Sequence, residues 1–207
     1  MKIMDYDSPQ EEFWAGEFGN SYISRNEASW LLSSNINFFS QVFSSLDSLP
    51  STFLELGANV GMNIKALQQL NADGVYTGIE INNQACIALR ETGCKVVNQS
   101  ILKAEIPELF DFVFSKGVLI HLDPNQLSNV YKKMYEWSRR FIVIAEYYNP
   151  NPINIDYRGH SDKLFKRDFA GEMMDLYPNL TLRDYGFMYH RGKFPQDDIT
   201  WFLLEKG

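Results

Sequence analysis

The residues best placed to do chemistry begin with Glu55-Leu56-Gly57-Ala58-Asn59-Val60-Gly61, followed by Glu80. A short apolar run from Thr52 ends in the Glu55 carboxylate, two glycines follow, and a helix-forming run opens at Ile64. Glycine reaches φ > 0 at little cost and lets a ligand approach the main chain where a Cβ would collide. A strand, a glycine turn and a helix start therefore make a ligand seat, and Glu55 gives that seat a charge preference. Glu80 follows Gly61 by 19 residues, close to the spacing of about 20 at which an acidic residue after the second strand reaches a ribose hydroxyl pair. A nucleoside-bearing cofactor fits this arrangement.

The type of nucleoside follows from the charge. A pyrophosphate needs Gly-x-Gly-x-x-Gly, whereas Asn59 interrupts the glycines here and Glu55 disfavours phosphate. No Gly-x-x-x-x-Gly-Lys-Ser/Thr run is present, which removes the P-loop nucleotide hydrolases. A carboxylate suits a ligand with an ammonium group, such as the methionine part of S-adenosylmethionine (SAM). Methyl transfer from a sulfonium rests largely on proximity and orientation, but an oxygen or nitrogen acceptor must lose a proton, and His121, Tyr147 or His160 could take it. Tyr148, Asn149, Tyr157, Arg158, Lys166 and Arg167 crowd one segment. With Trp14 they suit a polar, anionic acceptor, because arginine offers a fork for carboxylate or phosphate and tyrosine offers stacking and a hydroxyl. Carboxylates and histidines do not cluster at metal-ligand spacing.

Elements must hold these groups in place. Apolar runs at 52–56, 75–81, 95–98, 110–115 and 141–146 read as strands, and they alternate with helical patterns at 64–70, 83–91 and 125–137. That alternation predicts a doubly wound, Rossmann-like α/β domain with a mostly parallel sheet. In such a sheet ligands bind beyond the carboxyl ends of the strands, which brings Asn63, Ile81, Gln99, Ser100, Ser115 and Gly117 to the same seat as Glu55, Gly57, Asn59, Gly61 and Glu80. Residues 180–188 and 199–204 read as a C-terminal antiparallel hairpin after a helix at 168–177. Pro150 and Pro152 force extended backbone on 147–152, and the segment stays polar and aromatic up to Lys166. The N-terminal arm carries Phe13, Trp14, Phe18 and Tyr22, with Gly16 and Gly19 breaking a helix. The arm either packs its rings on the body or, with Tyr22 and Arg25, forms a lid over the cofactor. A helix from Asn26 to Leu46 completes an aromatic and helical cap.

The chain has 207 residues, enough for one core, so 1–207 reads as a single domain. Within it, 1–50 form the arm and helix, 51–146 the cofactor core and 147–207 the acceptor side. A net charge of −7 argues against nucleic acid as the main partner. Cys86 and Cys94 suit neither a disulfide framework nor a zinc site, which points to a reducing cytoplasm. No apolar run reaches the length of about 20 residues needed for a membrane span. Oligomeric state is open at this level.

Glu-x-Gly-x-x-x-Gly after the first strand, Glu80 after the second, and Phe-Asp-Phe-Val-Phe-Ser followed by Val-Leu-Ile-His-Leu resemble the class I SAM-dependent methyltransferases over residues 50–146. Asn59 stands where many members carry Gly, and Gln99-Ser100 stand where an acidic residue often meets the adenine amine. The strings Glu-Phe-Trp-Ala-Gly-Glu-Phe-Gly-Asn-Ser-Tyr, Glu-Tyr-Tyr-Asn-Pro, Tyr-Arg-Gly-His and Asp-Asp-Ile-Thr-Trp-Phe-Leu-Leu-Glu-Lys resemble the methylases associated with pseudaminic acid biosynthesis. The resemblance implies SAM as cofactor, S-adenosylhomocysteine (SAH) as product and a surface-glycan pathway; a free or nucleotide-linked acidic sugar fits the anionic acceptor that the Arg and Tyr side chains suit. The competing readings are a nicotinamide-dependent oxidoreductase and a non-catalytic sugar- or protein-binding module on the same fold.

Overall fold

The computed structural model describes residue 6 and residues 8–23 and 29–207. Five of the apolar runs form parallel strands: β1 (Thr52–Leu56), β2 (Val75–Ile79), β3 (Lys95–Val97), β4 (Phe110–Lys116) and β5 (Ser138–Glu146). A hairpin of β6 (Ile153–Tyr157) and β7 (His160–Lys166) stands apart as its own two-stranded sheet, and β8 (Leu180–Met188) and β9 (Ile199–Lys206) add an antiparallel edge to the main one. The main sheet runs β3-β2-β1-β4-β5-β9-β8, so chain direction across it reverses between β1 and β4. That reversal opens a crevice at the carboxyl ends of the strands.

Alternation along the strands builds two cores. Phe53, Phe112, Phe114, Val143 and Leu203 face one side, where α3 (Ser29–Phe43) and α4 (Met62–Leu70) supply Phe38, Phe39, Ile64 and Leu67. Leu54, Leu56, Val113, Ile142 and Ile144 face the other, covered by α6 (Leu127–Trp137) and α7 (Phe169–Leu176) through Val130, Met134 and Met173. Strands buried on both faces need the near-continuous apolar sequence that these runs have.

Several boundaries differ from the sequence reading for local reasons. α3 ends at Phe43, where the Ser44 hydroxyl donates to the Gln41 carbonyl at 2.6 Å and competes with the helix ladder; its expected start at Asn26 lies outside the described residues. The expected helix from 125 begins as a 3-10 turn at Pro124–Gln126, capped by Asp123, before α6. β5 starts at Ser138, which pairs with Phe110; Arg139 and Arg140 sit in an irregularity before Phe141 pairs with Phe112, and their side chains reach Asp111, Asp47 and Glu205. Within 147–166, Ile153-Asn154-Ile155-Asp156-Tyr157 alternates apolar and polar and pairs with β7 around Arg158 and Gly159, at φ 54 and 83. Two successive left-handed residues are what a tight two-residue hairpin loop requires.

The arm folds as α1 (Pro9–Ala15) and α2 (Glu17–Tyr22). Ser8 and Glu11 form a reciprocal capping box at the start of α1. Gly16 breaks the helix as expected; Gly19 does not, and sits inside α2, where close approach to the Trp14 carbonyl leaves no room for a Cβ. Asn82 fastens the arm to the core. Its Oδ1 accepts the Gln84 and Ala85 N–H groups at the start of α5 (Asn83–Arg90), and its Nδ2 donates to Asn20 Oδ1 at 2.9 Å and the Trp14 carbonyl at 3.2 Å. Asn82→Ser keeps the cap acceptor and removes the latch, so it should hold unfolding stability within the roughly 0.5–2 kcal/mol that loss of a cap costs while speeding amide exchange in residues 9–22. Unchanged exchange in the arm would show that Asn82 does not hold it.

Candidate functional site

Every strand end at the crevice carries a buried polar group. β1 ends beside Glu55, and the chain turns into α4 through Gly57, Asn59 and Gly61, at φ 67, 47 and 80. A Cβ on Gly57 would lie 2.7 Å from Val118 Cγ2, so the turn requires glycine for space as well as for φ. Asn59 holds its left-handed backbone by accepting the Val60 N–H on its own side chain at 2.8 Å.

Glu80, just past β2, is 7 % exposed. Its Oε2 accepts the Asn59 N–H and its Oε1 the Asn82 N–H, both at 2.7 Å. Burial raises its carboxyl pKa, opposed by the N–H groups of Asn82, Asn59 and Ile81. Glu55 is 1 % exposed, and its Oε1 accepts the Asn63 amide at 2.6 Å. Glu55 Oε2 and Asn63 Oδ1 are buried without a hydrogen-bond partner among the described residues. Burial pushes the Glu55 carboxyl up to about 8, against the opposing pull of the Asn63 amide and Lys116. Unpartnered buried acceptors are costly in a folded protein; Asn63 also lines the cavity described below, with Glu55 behind it.

Glu146 organises the far side. Its Oε1 accepts from Ser115 Oγ at 2.7 Å and from the Val118 and Leu119 N–H groups at 3.0 Å. This carboxylate shapes the loop after β4, and burial pushes its pKa up to about 7. His121 follows on that loop, 7 % exposed, with Nδ1 2.6 Å from the Lys163 carbonyl. A carbonyl only accepts, so Nδ1 carries the hydrogen and Nε2 presents a lone pair. Burial pushes the imidazole down to about 4, only partly offset by that carbonyl, so the ring is neutral at physiological pH. The Trp14 and Tyr157 rings lie 4.6 and 4.8 Å from it, centroid to centroid.

A cavity of about 380 Å³ spans these strand ends and the underside of the arm. Tyr22, Gly57, Asn59, Asn63, Glu80, Ile81, Gln99, Ser100 and Gly117 line it, as do Trp14, Tyr157, Arg158, His121 and Tyr147. Glu55 lies under the wall through Asn63, Gly61 is the N-cap of α4, and Ser115 is held by Glu146. Arg25 lies outside the described residues. The remaining expected residues sit elsewhere. His160, paired with Tyr157 across the hairpin, packs its ring on Phe13 and Phe18 of the arm at 5.0 and 5.8 Å. Tyr148 bridges to Arg167 and lays its ring on Phe202. Arg167 pairs with Glu172 at 2.7 Å, the Asn149 amide turns back to the Asn151 carbonyl, and Lys166 lies over the Tyr147 ring.

Gln10, Asn35, Asn82, Lys116, Gln196 and Asp197 also line the cavity and were not singled out by sequence reasoning. Asn35 carried a signal, since an amide inside an apolar helix face needs a partner; it accepts from Gln196 Nε2 at 2.9 Å. Among the described residues, no three His, Cys, Asp or Glu side chains converge as a metal site would require, and no helix is long and apolar enough to cross a membrane.

No protein-family model and no curated protein matches the chain. Solved structures do. The chain is similar to magnesium protoporphyrin IX methyltransferase from Synechocystis PCC 6803 with bound SAM, at TM-score 0.69 and 10% identity, over 99% of this chain and 100% of that one. It is similar to 1,6-didemethyltoxoflavin-N1-methyltransferase from Burkholderia thailandensis with SAH and 1,6-didemethyltoxoflavin, at TM-score 0.71 and 12% identity, over 98% and 92%. The N-methyltransferase NodS from Bradyrhizobium japonicum WM9 matches at TM-score 0.63 and 16% identity, over 87% and 98%. The chain therefore has the Rossmann-like fold of the class I SAM-dependent methyltransferases.

Proposed function

We propose that this protein binds SAM and transfers its methyl group to a small polar acceptor. The observation that carries this reading is the pair of buried, unpartnered acceptors, Glu55 Oε2 and Asn63 Oδ1, placed beside the Gly57 turn with Glu80 at the neighbouring strand end. Glu55 and Asn63 suit an ammonium, which has three N–H donors. Glu80 keeps lone pairs for two ribose hydroxyls beyond those given to Asn59 and Asn82, and Ile81, Gln99 and Ser100 edge the neighbouring wall. When bound, SAM supplies an electrophilic methyl carbon on a sulfonium.

The chain's own residues do the rest. The arm covers the cavity with Trp14 and Tyr22 and excludes water, which strengthens each electrostatic contact beneath it. His121 Nε2 is the proton acceptor for an acceptor hydroxyl or amine, its tautomer set by Lys163. Tyr147 stays a phenol and hydrogen-bond donor, because burial first and then Asp197 raise its pKa. Arg158, at the tip of the β6–β7 hairpin, holds an anionic group of the acceptor at the mouth. The fold relatives act on porphyrin and toxoflavin precursors; for this chain, Arg158 and the strings that resemble the pseudaminic acid-associated methylases support an acidic sugar. The free thiols of Cys86 and Cys94 fit a cytoplasmic setting.

Calorimetric titration with SAH and with NAD tests the cofactor. Heat is expected with SAH alone, Glu80→Ala should weaken SAH about 10-fold or more as a charged hydrogen-bond pair is lost, and Arg158→Ala should leave SAH affinity unchanged. Binding of NAD in place of SAH would establish the oxidoreductase, and binding of neither the non-catalytic module.

Incubation with labelled SAM and a metabolite pool identifies the acceptor by its new methyl. With that acceptor, His121→Gln should lower kcat by about 100-fold or more at unchanged SAH affinity. His121 must be neutral to act, and it protonates only as pH falls through about 4. The His121 imidazole should therefore show no titration by NMR between pH 8 and pH 5, and a midpoint near the ordinary histidine value of about 6.5 would contradict the assignment.

A further inference from the structure

Two polar atoms on the arm are left without partners. Gln10 and Trp14 stand four residues apart on α1, a spacing that sets both side chains on one face of a helix, and both residues line the cavity. Gln10 is 8 % exposed. Its Nε2 donates to the Asp162 carbonyl at 3.1 Å, and because a carbonyl only accepts, that bond fixes which way the amide is turned. Gln10 Oε1 is then a buried acceptor with no hydrogen-bond partner among the described residues, and Trp14 Nε1 is a buried donor in the same condition. Unmet buried groups of this kind are rare in folded proteins and call for a partner.

His121 belongs to the same cluster. The Trp14 ring lies 4.6 Å from the His121 imidazole, centroid to centroid. Consecutive carbonyls of β7 orient the other two groups, Asp162 taking the Gln10 amide and Lys163 taking His121 Nδ1. One strand thereby registers the arm's amide against the proton acceptor of the site. What could meet the two orphaned atoms follows from their types. A carboxylate offers no donor to Gln10 Oε1 and an ammonium offers no acceptor to Trp14 Nε1, so either would leave one of them unmet. A hydroxyl offers both from a single oxygen, which is too compact to serve two side chains a helical turn apart. A carboxamide presents one N–H and one C=O on separate atoms of one plane, and it satisfies both.

We infer that Gln10 Oε1 and Trp14 Nε1 recognise a secondary carboxamide of the methyl acceptor, whose N–H donates to Gln10 and whose carbonyl accepts from Trp14, with the atom to be methylated beside it at His121 Nε2. This rests on the methyltransferase reading above and deepens it, because it names a chemical group that the acceptor carries next to its reacting atom. An N-acylated amino sugar and an N-acylated amino acid both carry that group. Arg158 at the mouth takes charge and the arm takes the amide, so the two ends of the acceptor are read by different elements.

The test is a ligand-detected NMR titration of the SAH-loaded protein with two pairs of probes, N-acetylglucosamine against glucose and N-acetylalanine against lactate. Within each pair an acetamido group replaces a hydroxyl and nothing else changes. Wild type should favour the acetamido member of at least one pair by about 5-fold or more, as expected when a buried donor and acceptor are both met, and the pair in which it does so distinguishes sugar from amino acid. Trp14→Phe keeps a ring and removes the N–H, and Gln10→Met removes the acceptor. Each should lose the preference while binding SAH as the wild type does, which also shows that the variants are folded. A wild type with no preference in either pair, or variants that keep it, overturns the assignment. Variants that lose SAH affinity instead would give Gln10 and Trp14 to the cofactor and overturn it equally. If the wild type does not bind SAH, the methyltransferase reading fails and this inference fails with it.

Discussion

Glu80 has 7 % of its surface exposed, and the hydrogen bonds that stabilise it there come from the backbone of two separate loops. Burying an unpaired carboxylate costs several kcal/mol, so the protein holds this charge only while the Asn59 and Asn82 N–H groups point at it. That requirement propagates. Asn59 must keep its left-handed turn between β1 and α4, and Asn82 must start α5 at a fixed place. From there Asn82 reaches out to fasten the arm at Trp14 and Asn20. One carboxylate thereby registers the glycine turn, the second helix start and the cap over the cavity.

The remaining electrostatics share the same logic of burial with directed partners. Glu146 is satisfied within the protein and fixes the loop that carries His121. Glu55, Asn63 and Lys116 are left incomplete at one wall. Complete groups such as Glu146 hold the loops in place, whereas the unpartnered acceptors are those on which the proposed ligand reading rests. Likeness to methyltransferases at 10–16% identity adds the fold and nothing about individual contacts.

Much of this was legible in the chain because strands buried on both faces must be apolar throughout and glycines must stand where φ is positive. The sheet, its switch point and the seat at Gly57, Asn59 and Glu80 followed from those two constraints. The β6–β7 hairpin was hidden by Pro150 and Pro152, although Ile153-Asn154-Ile155 already alternated and Arg158-Gly159 offered a turn. Residues on that hairpin consequently divided in an unforeseen way: Tyr157 and Arg158 reach the cavity, whereas His160 packs on Phe13 and Phe18 and Lys166 lies over Tyr147. Nothing in the sequence marks Lys116 apart from its loop, and only the pairing of β1 with β4 sets it beside Glu55.

The most direct test of the account is a crystal structure of the protein with SAH. The ribose hydroxyls should lie on the Glu80 carboxylate while its bonds to Asn59 and Asn82 persist, with the amino-acid end at the β1–β4 junction. SAH bound away from Glu80, or bound with the Asn59 and Asn82 contacts broken, would contradict the claim that this carboxylate both builds the site and reads the ligand.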